Sequence, residues 1–271
     1  TTPWRPTPGT AEQRVDPDAT RDFTAEEIAR GDAYRGAVRV PALLGTVVSL
    51  VAVLVLGLTP AGARLVGWAT QPVGAWPWRV LLGAVVLALV VRVVTLPTAV
   101  WAREVSVRNG MTTQSWPGWA VDVVRAWLLT TALLAVALLV LVALARRWPD
   151  GWWAPAAALA AAAVVAGSFL FPVLVEPMFN RFTPLPDSPL RTSLLELAER
   201  DGQPLDDVLV ADASRRTTAV NAYVSGFGST RRLVVHDTLL ERASDDEVRL
   251  VVAHELGHTE HRDVQAGTLL G

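Results

Sequence analysis

The chain has 271 residues, of which 51% are hydrophobic and only 18% charged, with a formal net charge of −2. That composition is too apolar for an average soluble domain, and it carries no basic footprint for a nucleic-acid partner. The absence of cysteine removes disulfides and thiolate metal sites, which leaves histidine and carboxylate as metal ligands.

Residues 1 to about 35 are polar and rich in proline, and they lack the apolar core of a signal peptide. The first ten or so are expected to be disordered. From Thr24 the chain turns helical, with Thr24 and Glu27 spaced as a capping box. Val40 to Leu58 is long enough to cross the hydrocarbon layer, and Pro60 and Gly62 are read as its end. A second span covers Val80 to Trp101 and contains Arg92, which must face a cavity or partner or else snorkel, because a charge at mid-bilayer costs roughly 2.5–3.5 kcal/mol. Residues 103–124 read as a polar connection. Trp127 to Ala145 is a third span, and Arg146 to Gly151 a tight turn. Trp152 to Val175 is a fourth span, rich in alanine and so able to pack closely on its neighbours. Most of the 11 Trp residues flank these runs, as expected at a bilayer interface.

Residues 176–186 read as an irregular segment fixed by proline. Asp187 or Ser188 then caps a helix with Pro189 at its first position, running to about Asp201 and stopped by Gly202. Val208 to Val210 reads as a strand. Asn221 to Phe227 and Arg232 to Val235 read as a hairpin, followed by a short helix from Thr238 to Arg242. Ser244 and Glu247 form a second capping box, and the helix they open carries His254-Glu255-Leu256-Gly257-His258. This is H-E-x-x-H, with two histidines one helical turn apart on one face, suited to grip one zinc ion. Glu255 is the candidate general base toward a water on that metal. His261 does not continue the longer three-histidine pattern and reads as a surface residue. From Val264 the chain turns apolar again.

The fold expected is therefore mainly α, a multi-pass membrane protein with four transmembrane helices followed by a small α+β zincin-like metallopeptidase segment. Its divisions are a cytoplasmic segment at 1–39, the membrane region at 40–175, and the metallopeptidase segment at 176–271. The connections that carry more arginine are the N-terminal flank (Arg30, Arg35, Arg39), the second connection and the flank after the fourth span. This places the N-terminus and the zinc motif on the cytoplasmic side of a cell membrane.

Several blocks, in order, resemble the type I CAAX prenyl endopeptidases. These are Leu96-Pro97 with Glu104 and Asn109-Gly110, then Pro177 through Pro186, Asn221-Ala222-Tyr223 with Gly226-Phe227, Asp237-Thr238-Leu239-Leu240, and the zinc motif itself. The resemblance implies a helical barrel around a large hydrophilic chamber, with the zinc helix facing inward. It implies one Zn2+ per chain and a peptide or protein substrate, membrane-associated or of prenyl type, added as a strand near Asn221, Ala222 and Tyr223. It also implies a further span before the first, two spans after the zinc helix, and a later E-x-x-x-D helix whose Glu is the third zinc ligand. None of these lies in the chain as given, which reads as part of a longer protein, inactive alone, with its third ligand beyond Gly271. The competing readings are a heat-shock-type membrane quality-control zinc protease and a non-catalytic membrane scaffold of the same fold. A site-2-type protease would place the motif within a span, which the charged stretch at 187–250 argues against.

Overall fold

The computed structural model describes residues 18–202, 205, 207–226 and 231–260. The expectations for the first ten residues, the turn at Gly228-Ser229-Thr230, Phe227, His261 and the apolar end from Val264 lie outside them.

A one-turn helix α1 (Ala19–Asp22) leads to α2 (Ala25–Leu58). The Thr24 capping box forms as the sequence predicts: the Thr24 hydroxyl accepts from the Glu27 N–H, and the Glu27 carboxylate accepts from the Thr24 N–H. Helix α2 then runs without a break through the first predicted span. Thr59 caps a further short helix, α3 (Pro60–Ala69), which the sequence reading took for a terminator. Proline fits there because the first helical residue needs no N–H donor. Gly62 is required by close approach, since a Cβ at that position would sit 2.0 Å from the Leu56 carbonyl oxygen.

Helices α4 (Trp76–Arg108) and α5 (Trp116–Arg147) contain the second and third predicted spans and extend well past them. The polar connection predicted at 103–124 is therefore mostly helix, and only residues 109–115 link the two. Polar flanks continue these helices because the ladder satisfies the backbone at no cost to the side chains. Helix α4 packs between α2 and α5. Helix α6 (Trp153–Leu170) passes into a π-helical turn at Phe171–Val175 and then α7 (Glu176–Phe179). Pro172 and Pro177 lack the N–H donors that a regular ladder would use there. Four helices are long and apolar enough to cross a membrane among the described residues.

The rest forms a small α/β unit. Strand β1 (Phe182–Pro184), absent from the sequence reading, pairs antiparallel with β2 (Val208–Ala211). Strands β3 (Ala222–Ser225) and β4 (Arg232–His236) pair antiparallel, and β4 runs parallel to β2, giving the order β1-β2-β4-β3. Helices α8 (Pro189–Arg200), α9 (Asp237–Arg242) and α10 (Asp245–Glu260) cover the sheet. The core is read from spacing. Leu190, Leu194 and Ala198 form one i, i+4, i+8 stripe on α8, and Val248, Val252 and Leu256 form another on α10. Both close on Val208, Ala222, Leu233 and Val235. Each fully buried Val or Leu contributes about 1.5–3 kcal/mol.

Two backbone strips fasten this unit to the membrane helices. Gly110 turns the chain at a φ of 66°, where glycine alone is unstrained. The next residues then pair with the segment before β3. The Thr113 N–H donates to the Arg216 carbonyl at 3.3 Å, and the Thr217 hydroxyl donates to the Met111 carbonyl at 3.1 Å. Arg216 reaches Asp122 of α5 at 3.6 Å and also donates to the Asn180 side chain.

Candidate metal centre

Helix α10 starts as the sequence predicts, with the Glu247 carboxylate accepting from the Ser244 N–H at 2.8 Å and the Ser244 hydroxyl accepting from the Glu247 N–H at 3.4 Å. Its core stripe, Val248-Val252-Leu256, fixes the rotation of the helix against α8 and β3. His254 lies on the opposite side and is exposed, and Glu255 is half-buried. The helical backbone continues through residue 258, one turn past position 254. The His258 side chain lies outside the described residues. His254 is thus an exposed imidazole clear of the apolar core, four residues before a second histidine in sequence. Among the described residues no group of three potential ligands comes together.

The packing of α10 on β3 sets the second part of the site. Strand β3 is an edge strand, paired only with β4 among the described strands. The His236 N–H donates to the Asn221 carbonyl at 3.0 Å, and Tyr223 stands opposite Val234. Alternation in an antiparallel ladder then turns the backbone groups of Asn221 and Tyr223 toward β4, and those of Ala222 and Val224 toward the free edge. Of the three residues predicted for substrate, Ala222 alone presents its peptide groups outward.

The side chains of Tyr223 and Ser225 share one face of β3 and meet the end of the fourth span. Glu176, the residue after the π-helical turn, accepts from the Ser225 hydroxyl at 2.8 Å and the Tyr223 hydroxyl at 3.4 Å. It also pairs with Arg232 at 3.1 Å. Arg232 donates in addition to the Pro172 carbonyl and lies over the Phe182 ring at 4.9 Å. Burial, with the Glu176 charge next, pushes the Tyr223 hydroxyl up to about 12. The Tyr223 and His236 rings meet edge to face, 6.1 Å apart. Burial pulls the His236 imidazole below its usual value. Below β4, Asp237 accepts from the Ser214 N–H and hydroxyl and from the Thr238 N–H. Burial alone would raise its carboxyl, and those bonds outweigh it and hold the group below the usual range.

Tyr223 and His236 open onto a cavity of about 1160 Å³ between the membrane helices and the α/β unit. Its lining includes Leu56, Leu87, Val91, Trp127 and Leu134, with Asp122, Asn180 and Arg216 among the polar groups. Its wall is mostly apolar. Arg92 lines it, which answers the question its sequence position raised. No described residue of α10 is among the lining residues.

The Glu176–Arg232 cluster and His236 were missed by sequence reasoning. The available signal was a lone Glu closing an apolar span, followed by a strand with Tyr and Ser two apart.

Spans of this length joined to a small α/β unit, with H-E-x-x-H on its last described helix, define a multi-span membrane protein of metallopeptidase type. The model of "CAAX prenyl protease N-terminal, five membrane helices" matches residues 10–181, and that of "Peptidase family M48" matches residues 184–270. The chain is 34% identical over 182 residues to the "Uncharacterized metalloprotease YhfN" of Bacillus subtilis, covering 67% of this chain and 43% of that protein. It is 36% identical over 148 residues to "CAAX prenyl protease 1" of Saccharomyces cerevisiae, covering 54% and 32% respectively. The crystal structure of S. mikatae Ste24p superposes with a TM-score of 0.81 at 25% identity, over 96% of this chain and 63% of that one. The chain therefore belongs to the CAAX prenyl protease family of M48 peptidases. The matches span less than half the length of either curated relative.

Proposed function

We propose that the chain is the membrane region and metal-binding helix of an integral-membrane zinc endopeptidase. The observation that carries this reading is the packing of α10, with His254, Glu255 and His258, directly against the edge strand β3. A peptide laid antiparallel along a free sheet edge is held by main-chain hydrogen bonds. Ala222 and Val224 are the residues whose backbone would hold it, and the helix beside them carries the ligands. His254 and His258 hold the zinc, and a third carboxylate ligand comes from outside the described residues. The bound metal supplies Lewis-acid polarisation of water and of the scissile carbonyl. Glu255 takes the proton of the attacking water and returns it to the leaving amine, as suits a half-buried carboxylate beside the ligands. The substrates are membrane-associated or prenyl-type proteins reached from the cytoplasmic face of a cell membrane, with the arginine-rich connections on that side.

Zinc content tests the ligand assignment. The full-length protein, purified in detergent, is expected to hold one zinc per chain, and His254→Ala to lose it. Full zinc occupancy in His254→Ala would end the assignment.

A further inference from the structure

Arg92 lies sixteen residues from each end of α4, about 24 Å along the axis in either direction. The hydrocarbon layer is about 30 Å thick, so in a bilayer centred on α4 the Arg92 backbone lies near its middle. A charge at that depth is expensive, and snorkelling serves residues near helix ends. Arg92 instead borders two spaces. One is the 1160 Å³ chamber, and the other is a groove of about 620 Å³ between α2 and α4 that runs past Pro41, Gly45 and Thr98. Its Nε is buried and donates to no described residue. No described carboxylate lies within ion-pair distance of it.

The other charges of the chamber are already engaged. Asp122 accepts from Gln114 at 2.6 Å and pairs with Arg125 at 3.5 Å and Arg216 at 3.6 Å. Arg216 has Asn180 as well. The cavity wall that Arg92 joins is mostly apolar, with Leu56, Leu87, Val91 and Leu134 beside Thr95 and Thr131. A cation in the wall of a mostly apolar cavity selects a ligand with one anionic head and a hydrocarbon body. The guanidinium fork matches the two oxygens of a carboxylate or phosphate. The volume lies just above the usual range for small-molecule pockets.

We propose that Arg92 is the anion-binding group of a chamber site for an amphiphile bearing a carboxylate or phosphate on an aliphatic chain. This site does not depend on peptide hydrolysis, and its test does not read cleavage. The full-length protein in neutral detergent is titrated with a fluorescent long-chain carboxylic acid, then competed with palmitate, with the alcohol of equal length, and with phosphatidylglycerol or phosphatidylcholine in mixed micelles. Palmitate is expected to compete at least about tenfold better than the alcohol, as a charge-assisted hydrogen bond implies. Arg92→Gln is expected to remove that preference and Arg92→Lys to keep part of it. Ala88→Trp, which fills the chamber wall, is expected to weaken the acid and the alcohol together. Competition by phosphatidylglycerol but not phosphatidylcholine assigns the site to a phospholipid head, and competition by palmitate alone assigns it to a free carboxylate. Equal binding of acid and alcohol by the wild type overturns the proposal, as does an unchanged preference in Arg92→Gln. If Arg92→Gln does not fold, the wild-type preference and the weakened binding of both ligands in Ala88→Trp decide the matter.

Discussion

Replacing Glu176 by Ala removes a carboxylate that joins the fourth span to the edge strand. Three donors lose their acceptor at once: the Arg232 guanidinium, the Ser225 hydroxyl and the Tyr223 hydroxyl. The Glu176 side chain is 11% exposed and that of Arg232 is 21% exposed, so water replaces little of what is lost. Breaking a buried ion pair from one side costs about 3–5 kcal/mol. Arg232 keeps the Pro172 carbonyl as a second acceptor, which puts Glu176→Ala at about 3 kcal/mol. Glu176→Gln keeps an oxygen for Ser225 and is expected to cost about 1–2 kcal/mol. Equilibrium unfolding of the full-length protein in mixed micelles reads both values. A double-mutant cycle with Arg232→Ala is expected to give a coupling of about 1–3 kcal/mol. Strict additivity of the two mutations, or a Glu176→Ala variant within about 0.5 kcal/mol of wild type, would refute the reasoning.

Burial pushes the Tyr223 hydroxyl up to about 12, so the tyrosinate difference spectrum between wild type and Tyr223→Phe is expected to develop near that pH. Its folded value lies above the unfolded one, so stability is retained below about pH 10 and lost as pH rises from there toward 12. Glu176→Gln is expected to move that transition down, because the Glu176 charge helps to raise it. Asp237 behaves with the opposite sign. Its carboxyl is held low, so its contribution is present above its unfolded value near 3.8 and is lost as pH falls through the depressed folded value. Asp237→Asn is expected to remove that acid-side loss and to cost about 1–2 kcal/mol at neutral pH, read by unfolding at several pH values.

What the sequence made legible was local or strongly periodic. The four apolar runs announce themselves by length and composition, and both Thr24 and Ser244 capping boxes close within four residues. The stripes of α8 and α10 follow from helical spacing alone. The junction between membrane helices and α/β unit was hidden, because it depends on short polar segments paired across about a hundred residues, such as Thr113 with Ser214. Strand β1 is three residues ending in a proline, and nothing in its composition separates it from a loop. The 103–124 stretch misled because Arg103 looks like a surface residue. It is 6% exposed, bonded to the Gln114 carbonyl and stacked on the Trp116 and Trp119 rings. Of the site, the residues on α10 could be picked out by motif. The free-edge role of Ala222 and Val224 needed the register.

The most direct measurement compares cleavage of a membrane-anchored peptide by the full-length protein and by its Glu255→Gln variant, with zinc content measured on both. Glu255→Gln is expected to keep its zinc and to lose at least about a hundredfold in turnover, the scale of a general base. Equal turnover by the two proteins, at equal zinc, would contradict the chemistry assigned to this helix.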